Sequence, residues 1–353
     1  KMRYDQKPWK FAAIRSSNIA VNVGLNLFFI ILCPFLIDLG YDWPKSIYHS
    51  EHLVSYIFIS NLIASFSSFI LLLPSFTSIF HKPDNGQIKR MLFYATPLVI
   101  AGFAGMINET MDRILLKKLM PVELGDSEAG IYTAFYKASL VITIFLQAYR
   151  YAIEPILFKS SAGGDDKKQL ALATKWFTYA CAILFLGTLL FLPEFSRLII
   201  RNANYFSDPR GLEIVPILLT ANVFLGLFFN ASMWYKINQQ TKYGALIAIA
   251  GAAITLIGNF TFIPSYGFVA CAWVTLVAYA FMLLTAFVWG QKEYPIPYEL
   301  HRIIPVLLIS LGGSALVHLM DASRWFNIPL LLLVMLFIYI FEYHAKPKYS
   351  NRK

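Results

Sequence analysis

Residues 243–289 read YGALIAIAGAAITLIGNFTFIPSYGFVACAWVTLVAYAFMLLTAFVW, two apolar runs, 243–263 and 267–289, joined by Ile263-Pro264-Ser265-Tyr266-Gly267. Each run has the ~20 residues a helix needs to cross a hydrocarbon core. The Pro and Gly between them stop one helix and release the next. Reading outward, eight further runs of this kind occur: 13–37, 53–74, 91–117, 130–157, 176–198, 214–235, 303–320 and 326–343. The composition agrees. Of 353 residues, 58% are hydrophobic, 16% aromatic and only 14% charged, against about 25% charged in soluble domains. Mean hydropathy is +0.57. Too little polar side chain remains to cover a water-facing surface, which excludes a soluble protein of two or three domains. The expected fold is all-α, a polytopic membrane bundle of about ten transmembrane helices.

The net charge is +10, which in a soluble chain would suggest nucleic acid. Its distribution argues otherwise, and no nucleic-acid partner is expected. With ten spans, 20 of the 30 Lys and Arg fall on one set of alternate loops and 8 on the other, Lys137 and Arg150 lying within a span. By the positive-inside rule both ends of the chain are then cytoplasmic. The acidic loop Glu123, Asp126, Glu128 falls outside. Cys33, Cys181 and Cys271 each sit in an apolar run, so no disulfide framework is expected. No cleavable signal peptide is visible, and because an apolar run follows Lys1 almost at once the sequence is expected to start mid-protein.

Polar groups inside a span are costly and turn toward protein or water. In 130–157, steps of three and four align Tyr132, Tyr136, Ser139, Thr143, Gln147, Arg150 and Glu154 on one face. Ile131, Phe135, Ala138, Ile142, Phe145 and Ala152 mark the other, and Lys137 lies beside the polar row. A row running the length of a span implies a wet wall. Two blander readings compete. Ser139 and Thr143 can be glue between helices, and Arg150 and Glu154, at i and i+4, can pair locally and reach for headgroups. Span 91–117 carries Asn108, Glu109, Asp112 and Arg113 between apolar stretches. Glu109 and Asp112, two carboxylates close together at membrane depth, can take up a proton or Na⁺, unless they mark a helix end bathed in headgroup water. Weaker rows recur: Arg15, Asn18, Asn22, Asn26; Asn61, Ser65, Ser68; and Asn222, Gly226, Asn230. Gly244, Ala248, Ala252 and Thr255 read as a packing seam.

No catalytic constellation is found. The six histidines lack ligand spacing, and His49 and His52 read as solvated loop residues. There is no phosphate-binding Walker loop and no nucleophile elbow. Ala162-Gly163-Gly164-Asp165-Asp166 reads as a flexible loop. No cofactor, metal or catalytic residue is expected, and a transporter is favoured over an enzyme.

Pro97-Leu98-Val99-Ile100-Ala101-Gly102 leads to Asn108, Asp112 and Arg113, then to Glu128-Ala129-Gly130-Ile131-Tyr132 and Tyr136-Lys137. Further on come Thr241-Lys242, Gly258-Asn259, the Ile263–Gly267 turn and Ala270 to Ala272. In order and spacing the chain resembles the oligosaccharide flippases (Wzx-like polysaccharide transporters) of the multidrug/oligosaccharidyl-lipid/polysaccharide exporter superfamily. That family has two six-helix lobes and two further helices. The resemblance implies that this chain lacks the first four helices. Residues 1–80 then hold the last two helices of the first lobe, 81–290 the second lobe, and 291–353 two additional helices and a cytoplasmic tail.

The resemblance also implies alternating access in a bacterial inner membrane. Its cargo would be a polyprenyl-pyrophosphate-linked oligosaccharide bound for surface polysaccharide such as the O-antigen of lipopolysaccharide, with membrane lipids around it. Pyrophosphate suits Lys137, Arg150 and Arg113. Sugars suit Tyr132, Tyr136, Gln147 and Asn222, with Glu154 in the same row. Glu109 and Asp112 are the expected places for H⁺ or Na⁺ coupling. The alternatives are a cation-coupled multidrug antiporter and a membrane-bound glycan polymerase.

Overall fold

The computed structural model describes residues 8–73, 84–161, 166–199, 208–320 and 323–344. Ala162 to Asp165, Arg3, Lys7, Lys82 and the tail beyond His344 lie outside them. Among the described residues the chain is helical, without strand. Nine helices among the described residues are long and apolar enough to cross a membrane, from Ala12–Asp38 to Leu300–Val317. The tenth expected span is a shorter apolar helix, Asn327–Glu342. The protein is thus a polytopic helical membrane protein. Its contacts divide into two compact units, Lys1–Asn85 and Gly86–Lys353.

The first unit holds α1 (Pro8–Leu27), a π-helical stretch Phe28–Leu32, α2 (Cys33–Asp38) and α3 (Leu53–Leu72). The asparagine row on α1 is an interhelical and intrahelical seam. Asn18 Nδ2 donates to the Ala64 carbonyl at 2.8 Å and to Ser68 Oγ at 2.9 Å, and Asn26 Nδ2 donates to Asn22 Oδ1 at 2.6 Å. Tyr56 closes the intervening loop, its hydroxyl donating to the Ile47 carbonyl and accepting from His49 N, both at 2.9 Å.

The second unit comprises α4 (Asn85–Leu119), α5 (Val122–Ser161), α6 (Asp166–Leu190), α7 (Leu192–Ile199), α8 (Pro209–Ala231), α9 (Met233–Ile237), α10 (Thr241–Tyr266), α11 (Phe268–Glu293), α12 (Leu300–Leu307), α13 (Gly313–Leu319) and α14 (Asn327–His344). Helix α6 begins ten residues before the apolar run expected at 176, because Leu170, Ala171, Thr174 and Lys175 are all buried. The apolar face of α5 packs inward: Ile131, Phe135, Ala138 and Ile142 are buried in the main core. Glycine permits the closest approach there. A Cβ on Gly211 would sit 2.0 Å from the Phe135 ring. Cys33, Cys181 and Cys271 are buried free thiols.

Helices α4 and α10 run parallel in a fixed register. Thr241 Oγ1 donates to the Tyr94 carbonyl (3.0 Å), Thr255 Oγ1 to Asn108 Oδ1 (2.8 Å) and Asn259 Nδ2 to Asp112 Oδ1 (2.7 Å), each pair separated by 147 residues. Between the bonds, Ala104 meets Ala248 and Ala252. The small-residue seam read on α10 therefore mates with the small run of α4.

Candidate functional site

Helices α4 and α5 touch near the turn that joins them. Gly125 lies against the Leu116 carbonyl, where a Cβ would come within 3.0 Å, and Lys117 pairs with Asp126 at 2.8 Å. Slightly further along, the Tyr132 hydroxyl donates to Asp112 Oδ2 at 2.7 Å. Beyond that point a cavity of about 510 Å³ is present, within the size range of small-molecule sites. Its wall includes residues 94–109 of α4, 143–158 of α5, the end of α8, Lys236 of α9 and parts of α10 and α11. Its charged lining residues are Glu109, Arg150, Glu154 and Lys236.

The polar row of α5 is consequently divided. Thr143, Gln147, Arg150 and Glu154 line the cavity. Tyr132 and Ser139 are fully buried, the first held by Asp112 and the second donating to the Tyr136 carbonyl at 2.7 Å. Tyr136 is half-buried beneath the Arg113 guanidinium, 4.5 Å from its ring centroid. Arg113 also donates to the Glu109 carbonyl at 2.7 Å. Asn222 is buried in the α5–α8 seam, accepting from Thr143 Oγ1 at 3.2 Å. Arg113, Tyr132, Tyr136, Lys137 and Asn222 are not among the residues lining this cavity, and Lys137 is exposed.

Arg150 and Glu154 do not pair with one another. The Arg150 guanidinium lies over the Phe229 ring, 4.7 Å from its centroid. Glu154 Oε1 instead faces Lys236 Nζ at 3.4 Å, and that ammonium lies 4.5 Å from the centroid of the same ring. Lys236 had been counted as a loop cation. Its side chain enters the cavity because Ser232 separates α8 from the short α9, whose residues Met233 to Tyr235 are buried.

Glu109 and Asp112 occupy different faces of α4. Glu109 is exposed and borders the cavity. Asp112 is buried, accepting from Tyr132, from Asn259 and from Thr275 Oγ1 at 3.2 Å. Asn259 Oδ1 beside it is buried without a hydrogen-bond partner. Among the described residues no group of three His, Cys, Asp or Glu is arranged to hold a metal.

Two further charge clusters are present. At the α10–α11 turn, Glu128 is buried. Its Oε2 accepts from Phe268 N at 2.8 Å and its Oε1 from Arg210 at 2.9 Å. Arg210 also pairs with Asp208, which lies outside the spans, at 2.7 Å. That hydrogen bond holds the Asp208 carboxyl below its ordinary range. In the second, Lys175, buried midway along α6, pairs with Glu342 at 2.9 Å and Glu299 at 3.3 Å, and Arg302 joins Glu299 at 2.7 Å.

The larger unit is therefore a helical membrane body with an open, mostly apolar cavity that carries four charged side chains. A family model described as polysaccharide biosynthesis protein matches residues 16–161, less than half of the chain. The match ends with α5 and so includes Glu109, Gln147, Arg150 and Glu154. No curated protein and no solved structure matches.

Proposed function

We propose that this chain belongs to a transporter of polysaccharide biosynthesis that moves a polyprenyl-pyrophosphate-linked oligosaccharide across a bacterial inner membrane by alternating access. The observation that carries this reading is Arg150. It is a half-buried guanidinium in a membrane-embedded cavity with no carboxylate within ion-pair distance among the described residues. A cation in a low-dielectric wall calls for an anion, and a guanidinium fork suits phosphate oxygens. The match of residues 16–161 to a polysaccharide biosynthesis family supports the same class of cargo. Gln147 and Glu154, on the same wall, would take sugar hydroxyls, and Thr143 and Asn222 would hold that wall to α8. Arg113, Tyr136 and Lys137 would act nearer the α4–α5 turn. Glu109 at the cavity and Asp112 behind it are the proposed places for H⁺ or Na⁺ coupling. Both ends of the chain would be cytoplasmic. A cationic drug would meet Arg150 and Lys236 with like charge, which disfavours the antiporter.

The test is flipping of a polyprenyl-pyrophosphate oligosaccharide by the full-length protein in vesicles. Arg150→Gln should slow it roughly ten-fold or more, the value of one charge-assisted hydrogen bond. Undiminished flipping by that variant removes Arg150 from the mechanism and this reading with it.

A further inference from the structure

Two cations flank one ring in the cavity. Arg150 and Lys236 lie 4.7 and 4.5 Å from the centroid of Phe229. Among the described residues only one of them has a counter-charge, and that contact is loose. Glu154 reaches Lys236 through a single oxygen at 3.4 Å, whereas charge-assisted N–H···O contacts settle near 2.7–2.9 Å. Elsewhere in the molecule ion pairs run from 2.7 Å for Arg210–Asp208 to 3.3 Å for Lys175–Glu299, so this contact is at the long end of the range. The contact is open to water on its acidic side, Glu154 being 27% exposed. One carboxylate cannot serve both cations, and the two repel across a weakly polar wall.

We propose that Arg150 and Lys236 form one anion site for a phosphate-bearing headgroup, and that Glu154 is its built-in competitor, released from Lys236 when the anion enters. A dianionic phosphate satisfies both cations, with the guanidinium taking two oxygens and the ammonium a third. Glu154 is then left facing the cavity, where it repels the anion and speeds its departure. The carboxylate that fills the empty site keeps the two cations from binding tightly to stray anions. This deepens the cargo reading above and rests on the same cavity being the cargo site.

The exchange has a signature of opposite signs. Purified full-length protein in zwitterionic lipid is titrated with inorganic pyrophosphate. Glu154→Gln should bind it several-fold more tightly than wild type. Arg150→Gln and Lys236→Gln should each bind it roughly ten-fold or more weakly, one charge-assisted bond being worth about a decade. Lys236→Arg, which keeps the charge and guards against a folding defect, should bind within a few-fold of wild type. A merely structural Glu154–Lys236 pair predicts that both neutral variants lose binding or stability together. Weaker or unchanged binding by Glu154→Gln overturns the proposal, as does wild-type affinity in Lys236→Gln, or no binding in either wild type or Glu154→Gln.

A second arm uses vesicles carrying polyprenyl pyrophosphate or phosphatidylglycerol. The sign pattern with the prenyl lipid supports a cargo site. The pattern with phosphatidylglycerol alone keeps the anion exchange but assigns it to bilayer headgroups, and the cargo reading falls. Flipping by wild type without the sign pattern leaves the transporter standing and removes the exchange.

Discussion

Gly267→Ala tests how the α10–α11 turn is held. Gly267 has φ +57 and ψ −140, a region populated essentially by glycine, where another residue costs about 1–3 kcal/mol. Space is the second obstacle. A Cβ would lie 2.2 Å from Glu128 Oε2. Glu128 is only 4% exposed, so it cannot swing into water without leaving the Phe268 amide it accepts from at 2.8 Å. Breaking a hydrogen bond to a charged acceptor costs about 1.5–3 kcal/mol. The two contributions sum to about 3–6 kcal/mol. Equilibrium unfolding of the bicelle-reconstituted protein with a denaturing detergent measures it. The same substitution in a Glu128→Ala background has room for the methyl and no bond left to break, so only the backbone contribution of about 1–3 kcal/mol should remain. A cost below about 1 kcal/mol, or an equal cost in both backgrounds, would refute the steric argument and the role given to Glu128.

Lys175→Met leaves Glu299 and Glu342, each about a quarter exposed, with Arg302 as their shared cation, and loss of the charge-assisted bonds costs about 1.5–3 kcal/mol. The same unfolding measurement should show it, and loss of under about 1 kcal/mol would mean that the cluster acts as an exposed one. Asp208 gives a pH dependence. Arg210 lowers its folded-state pKa, so its contribution is complete above the unfolded value of about 3.9 and disappears as the pH falls through the folded value. An acid titration of stability should flatten in that window in Asp208→Ala. An unchanged acid limb would assign it to other carboxylates.

The spans were legible because length and apolarity decide them locally. Their charged ends were not. Lys175 and Lys236 were counted as loop cations and Glu128 as part of an outer acidic loop, yet all three turn inward onto partners 82–167 residues away. Counting loop charges treats every span end as solvated, and nothing local tells a buried cation from a wet one. The row on α5 was read correctly in period. Its division into a buried half and a cavity half depends on where α4 covers it. The seam on α10 reads as packing from its small residues, whereas the Asn222 row suits a polar pathway as well as an interhelical seam. Thr143 and α4 supplied the neighbours that place them between helices. Asn259 and Thr275 carried no signal beyond being polar in apolar runs, and only the fold brings them to Asp112.

The register of α4 on α10 ties the two halves of the site together. Bonds at Tyr94, Asn108 and Asp112 pin α4 along its length, and the same helix presents Tyr94, Asn108 and Glu109 to the cavity. Asp112 lies one turn from Asn108, so the buried carboxylate and the cavity wall share one rigid element. Helix α5 is tied differently. Its contacts with α4 cluster near their common turn, and its cavity half is held to α8 by Thr143–Asn222 and by Tyr149 donating to Asn230 at 2.6 Å. Each of the two helices also carries a proline in its cavity half, Pro97 and Pro155, where a backbone hydrogen bond is lost and bending is easier. The cavity's width is therefore set by two walls, α4 on α10 and α5 on α8, with α11 packed against both α10 and α8.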